Sequence, residues 1–215
     1  MTRLTLAAVA ALLIATIGCS KKEADGLMVQ AHDDNVFMQI MHSSMDSMMT
    51  MRMTMDPDHD FAKMMRMHHM GAVEMAEKQL AIGQDATIKG MAQMIKAAQQ
   101  TEIAQLDSFI AAHTPLMDMM NADPFEAESD SAMMKMERGA DLLPLTGKAD
   151  FDFAQLMVVH HQSAIEMANA VIKNGDVPFI RRFAERVIVD QNKEIGQFQN
   201  WMLANRPYGS GMGGH

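Results

Sequence analysis

Two adjacent histidine pairs, His68-His69 and His160-His161, stand 92 residues apart in a 215-residue chain. Each is followed downstream by a glutamine and a glutamate at matching positions, Gln99 and Glu102 in one case, Gln191 and Glu194 in the other. Imidazole is the commonest protein metal ligand and suits copper, zinc and iron, and a nearby carboxylate can ligate the ion or orient the ring. A carboxylate drawn into a helical core must be paired, hydrogen-bonded, protonated or metal-bound. The set can therefore form a metal centre with His68, His69, Glu102, His160, His161 and Glu194 as ligands. It can equally form a polar layer that fixes helix register, each Glu accepting from a His. Glu74 and Glu166 also match between the copies, but they fall on the opposite helical face and read as solvated charges.

Methionine carries the second chemical signal: there are 27 in the chain, against one cysteine. Thioether sulfur is a soft, uncharged ligand that selects Cu(I), and by extension Ag(I), over hard cations, and it needs no deprotonation to bind. Met38, Met41, Met45, Met48 and Met49 share one helical face with His42 beside them. Amphipathic packing accounts for such a stripe equally well. Met51, Met53 and Met55 alternate in a way no single helical face explains, and Met64 and Met67 follow just before the first histidine pair. Further methionines lie outside the histidine-bearing segments, among them Met117, Met119, Met120, Met133, Met134, Met136 and Met212. Reversible oxidation to the sulfoxide is another use of so many thioethers.

The elements that must position these residues follow from an internal repeat. Asp60-Phe61-Ala62 through Glu74-Met75-Ala76 aligns with Asp152-Phe153-Ala154 through Glu166-Met167-Ala168, and the same offset of 92 pairs Gly83 with Gly175, Gln99 with Gln191 and Glu102 with Glu194. Within each copy the apolar residues recur at helical spacing, and Gly83 and Gly175-Asp176-Val177-Pro178 interrupt the pattern as a helix end and a short turn would. Each copy reads as an antiparallel helical hairpin preceded by a Met-rich helical segment, Val36 to Met55 and Met117 to Arg138, with Pro57, Pro124 and Pro144 as punctuation. One hairpin cannot bury its apolar face alone, so the two are expected to close into an all-α four-helix bundle about a pseudo-twofold axis. Folding each hairpin about its turn puts His68 level with Glu102, His69 with Gln99, His160 with Glu194 and His161 with Gln191. Docking the hairpins then gathers all eight side chains into one inward-facing belt.

The ends of the chain read differently. Arg3, the apolar run Leu4 to Ala15 and the small-residue spacing before Cys19 describe an export signal over residues 1–18, too short to be a good membrane span. Thr16-Ile17-Gly18-Cys19 resembles a bacterial lipobox, which implies lipid attachment at Cys19, a membrane anchor and a periplasm-facing protein; Ser20 after it resembles outer-membrane sorting. A simple signal anchor is the alternative. Residues 19–35 then form a tether, 36–204 the helical domain (repeat one 36–112, repeat two 117–204) and 205–215 a glycine-rich tail. The formal net charge of −9 makes the chain a poor partner for nucleic acid, while it attracts cations.

On His68-His69-Met70-Gly71-Ala72-Val73-Glu74-Met75-Ala76 and its copy His160-His161-Gln162-Ser163-Ala164-Ile165-Glu166-Met167-Ala168, with Asp-Phe-Ala upstream of each, the chain resembles the bacterial family named domain of unknown function 305. The resemblance spans roughly Val36 to Ala204. It implies a ferritin-like helical bundle in an exported protein, and for Met- and His-rich members a link to copper binding and resistance. No Glu precedes any of the four histidines by three residues, so the Glu-x-x-His ligand pairs of di-iron bundles are missing.

Three functions remain open on these grounds. One is a binding protein that sequesters Cu(I) or Ag(I) outside the cytoplasm, or hands it to a metal-handling partner. Another is a metal-dependent oxidase at the histidine–glutamate belt, which needs an open coordination position. The third is a structural or interaction bundle without metal. No serine motif, phosphate loop or nucleotide fingerprint is present.

Overall fold

A computed structural model describes residues 29–206, and all of their regular structure is helical. After a single 3₁₀ turn at His32–Asp34 come α1 (Val36–Met49), α2 (Pro57–Ile82), α3 (Ala86–Ala112), α4 (Met119–Asp141), α5 (Ala149–Asn174) and α6 (Pro178–Ala204). The export signal, Cys19, most of the tether, Met212 and the glycine-rich tail lie outside the described residues. No described helix is long and apolar enough to cross a membrane.

Local chemistry sets the helix starts. Asn35, Asp56, Asp85 and Asp118 each accept backbone N–H bonds from the first turn of the helix that follows, satisfying donors that have no partner within the helix. Pro57 and Pro178 occupy first-turn positions, where a missing N–H costs nothing. Pro124 departs from the sequence expectation: it lies inside α4 instead of punctuating the chain. The bounds of α2 and α3 recur in α5 and α6 displaced by 92 residues, while α1 maps onto only the C-terminal part of α4.

The α2 and α5 helices lie against each other, with α3 packed on α2 and α6 on α5. The shorter α1 contacts α2, α4 and α5, and α4 contacts α5 and α2, so α1 and α4 together cover one face of the α2/α5 pair. The core holds Phe37, Phe61, Phe125, Phe153, Phe183 and Phe198 together with Met38, Met41, Met64, Met65 and Met75, all essentially closed to solvent. With so few aromatic residues, unbranched methionine fills the irregular gaps that remain.

Carboxylates brace the two halves. Asp58, in the first turn of α2, accepts from Asp176 N–H (2.8 Å) and Val177 N–H (3.1 Å) in the α5–α6 turn. Asp150, in the first turn of α5, accepts from Gln84 and Asp85 N–H in the α2–α3 turn. These crossed contacts require α2 and α5 to run antiparallel. They also explain Gly175, whose backbone is extended and where an added Cβ would meet Asp58 Oδ1 at 2.6 Å, so the glycine serves close approach and not a left-handed turn. Burial raises the Asp58 carboxyl above the usual carboxylate range despite these N–H donors.

A second matched device fixes the loops before α2 and α5. Asp60 accepts from the Thr54 N–H and hydroxyl and from Met55 N–H, and Asp152 does the same for Thr146 and Gly147. Met55 and Gly147 both sit in the left-handed region, at φ 66° and 71°. Asp152 additionally accepts from the Asn35 amide at 2.9 Å, and Gln30 N–H donates to Leu145 O at 2.7 Å. From Gln30 onward, therefore, the stretch expected to be a tether is docked on the loop before α5.

Candidate metal centre at the histidine belt

All four histidines are buried, at no more than 1% exposure. Adjacent positions on a helix point about 100° apart, and here that angle splits the belt into two layers where one was expected. His69 and His161 point toward α3 and α6, while His68 and His160 point into the α2/α5 seam. The glutamates consequently pair with the second histidine of each doublet: His69 Nε2 lies 2.8 Å from Glu102 Oε2, and His161 Nε2 lies 2.8 Å from Glu194 Oε2. Glu102 therefore meets His69, one position on from the His68 that hairpin heights alone set against it.

In both pairs the carboxylate oxygen is close to the ring nitrogen but off the line along which an N–H would point, so neither contact is a hydrogen bond. Both nitrogens of His69, His160 and His161, Nδ1 of His68, Oε1 of Gln99 and both amide atoms of Gln191 are buried without a hydrogen-bond partner. Unpartnered buried polar atoms are rare in native cores, and these belong to a single belt. Glu102, Glu194, Gln99 and Gln191 line a cleft of about 150 Å³ between α3 and α6, with Met94 at its edge. The glutamate side chains retain 19% and 21% exposure, so the His–Glu pairs reach solvent through this cleft. Beyond it the helices meet through stacked Phe109 and Phe179 and an Arg186–Gln105 hydrogen bond.

The inner layer is drier. The His68 and His160 rings overlap with centroids 3.7 Å apart. Burial, and then the neighbouring histidines, push both imidazoles well below the usual histidine range and keep them neutral. His68 Nε2 lies 2.9 Å from Ser163 Oγ, which donates to His160 O and touches Met136 Sδ at 3.0 Å.

The methionine candidates scatter. Met38, Met41, Met45, Met48 and Met64 are core residues, and Met49, placed on the same stripe by spacing, is instead 62% exposed. Met51, Met53 and Met67 are partly buried against the core, with Met51 and Met53 in the α1–α2 connection beside left-handed Met55. His42 is half exposed and lies 3.3 Å from Asp141. Of the solvated pair, Glu74 is exposed and Glu166 ion-pairs with Lys135 at 2.8 Å. Sequence reasoning missed Met94, Ser163 and Met136 as neighbours of the belt: none stands near a histidine in sequence except Ser163, whose counterpart is Gly71. Among the described residues no group of three or more His, Cys, Asp or Glu side chains converges in a metal-holding arrangement.

An all-helical bundle with a buried belt of two histidine pairs is the class that fold and site define. The chain belongs to the family described as Domain of unknown function (DUF305), whose model matches residues 58–202. It is also similar in fold to the crystal structure of a DUF305 fragment from Deinococcus radiodurans, with 23% identity and a TM-score of 0.50 over 68% of this chain and 95% of that one. No curated protein matches the chain.

Proposed function

We propose that the chain binds a soft or borderline transition-metal ion, Cu(I) foremost, for sequestration or delivery outside the cytoplasm, with the His69–Glu102 and His161–Glu194 pairs as its principal donors. One observation carries the reading: ring nitrogens and carboxylate oxygens held 2.8 Å apart without hydrogen bonds, in both halves, around one solvent-reaching cleft. Unbonded imidazole and carboxylate lone pairs this close are costly unless a cation or a proton comes between them. Met94 adds a thioether at the cleft, which favours Cu(I), while imidazole and carboxylate alone also suit zinc or iron. In this reading Met38, Met41, Met45 and Met48 serve packing. An export signal and a lipid on Cys19 would hold the protein facing the periplasm, and the helix bounds recurring at an offset of 92 support a duplicated, ferritin-like bundle.

The test is anaerobic titration of the full chain with Cu(I) against a competing chelator, in parallel with Zn(II) and Fe(II). Tight retention of Cu(I), weakened at least about tenfold in Glu102→Gln/Glu194→Gln, is expected. Equal retention in that variant would remove the cleft from consideration. A metal-free structural layer is the second reading, favoured by the absence of a convergent trio of ligands among the described residues. It predicts no retained ion and unchanged stability on adding any of the three metals. Steady dioxygen consumption with Cu(I) or Fe(II) would instead indicate an oxidase.

A further inference from the structure

The two inner histidines occupy equivalent positions but have unequal surroundings. At the position where α5 carries Ser163, α2 carries Gly71, and where α4 carries Met136, α1 carries Ser44. Ser163 Oγ occupies His68 Nε2, and Met136 closes over that serine. On the other side no hydroxyl reaches His160 Nε2, which has no hydrogen-bond partner although the ring is 1% exposed. A Cβ on Gly71 would lie 3.7 Å from that nitrogen and 2.6 Å from Ser44 Oγ, so a glycine and a serine border it where a serine and a methionine border His68 Nε2.

Directly above lies a groove of about 480 Å³ between α1 and α3, floored by α2 and lined by Ser44, Met67, Met70, Gly71, Glu74 and Glu77 among others. Met67 is partly buried at its inner side, and Met70 is 48% exposed. Glu77 ion-pairs with Lys96, while Glu74 is exposed and takes part in none of the ion pairs among the described residues. At the equivalent place in the second half, Met67 and Met70 are replaced by Val159 and Gln162, and Glu166 is neutralised by Lys135. An acidic rim and two thioethers therefore line this groove, with the neutral imidazole nitrogen of His160 beneath its Gly71 floor, and the matching place in the second half lacks both thioethers.

We infer that this groove leads to a second soft-cation site, where His160 Nε2 and the thioethers of Met67 and Met70 take one Cu(I) or Ag(I) ion, independent of the His–Glu cleft. A neutral nitrogen and two thioethers as the donors select a soft monovalent ion over Zn(II) or Fe(II). Met70 Sδ is touched by the Arg66 guanidinium at 3.2 Å, and Arg66 also pairs with Asp107. The inference rests on the proposal that the chain binds soft metal, but it uses different residues and a different face of α2.

Ag(I), which does not change oxidation state here, is the probe. The full chain, labelled with ¹⁵N at histidine, is titrated while the four belt imidazoles are followed by NMR. The His160 Nε2 resonance should move and saturate at one equivalent. In Met67→Leu/Met70→Leu this response should weaken at least about tenfold while that of His69 and His161 is kept. Exchanging the two small residues, Ser44→Gly with Gly71→Ser, places a hydroxyl over His160 Nε2 as Ser163 stands over His68 Nε2, and should abolish the response without removing a ligand. A thermal melt of each variant checks that it is folded. Movement of His69 and His161 with His160 silent overturns this inference and leaves the cleft standing. Movement of His160 alone does the reverse. A His160 response unchanged in both variants overturns the groove and its thioethers.

Discussion

At the scale of the residue, neutrality governs the inner layer of the belt. His68 and His160 are pushed below the usual histidine range by burial and then by their neighbours, and His59 by burial foremost. An unfolded histidine titrates near 6.5, so below that pH the unfolded chain takes up protons that these three decline in the fold. Stability is therefore fully present above pH 6.5 and is lost as pH falls through it, at about 1.4 kcal/mol per pH unit for each proton difference. Asp58 acts in the opposite sense lower down, because its raised carboxyl takes a proton in the fold before the unfolded chain does. Urea midpoints of the metal-free protein should fall steadily from pH 7 to 5.5; a flat profile would mean that these three histidines are charged or solvated in the fold. The residue types of this layer stand plainly in the sequence. Their lack of hydrogen-bond partners does not, since it depends on what four other helices bring near them.

Among the elements, α2 and α5 do most of the positioning, and their antiparallel contact is pinned at both ends by Asp58 and Asp150. Asp58→Ala leaves the Asp176 and Val177 N–H groups without their acceptor in a part-buried turn, a loss of about 1 to 3 kcal/mol. Chemical denaturation should report that loss, and hydrogen exchange should show it concentrated in the 175–177 turn; uniform loss of protection would argue against the brace. The helical period and the two interruptions at Gly83 and Gly175 were legible as a pair of hairpins. What each glycine does was not: Gly175 is there because the side chain of Asp58, more than a hundred residues earlier in the chain, occupies the space of its Cβ. Pro124 misleads for a related reason, because packing on α5 holds α4 helical through a residue that in isolation favours a break.

Across the whole molecule the methionines divide into those that fill the core and those that face solvent or a groove. Replacing Met38, Met41, Met45 and Met48 together by leucine conserves volume closely and should cost less than about 1.5 kcal/mol per site. Cu(I) stoichiometry should be unchanged by it, and a lost equivalent in the chelator competition would return this stripe to the ligand set. Periodicity, the offset of 92 and the unusual count of thioethers, all properties of the chain in one dimension, determined the helical class, the paired hairpins and the histidine–glutamate inventory. They also gave the soft-metal expectation, because ligand softness belongs to atoms and not to their arrangement. Tertiary structure alone decided which histidine meets which glutamate, which thioethers remain reachable, and that matching positions in the two halves differ in access. A rotation of about 100° between neighbouring residues sends them to different neighbours, and those neighbours come from helices whose approach no local pattern encodes.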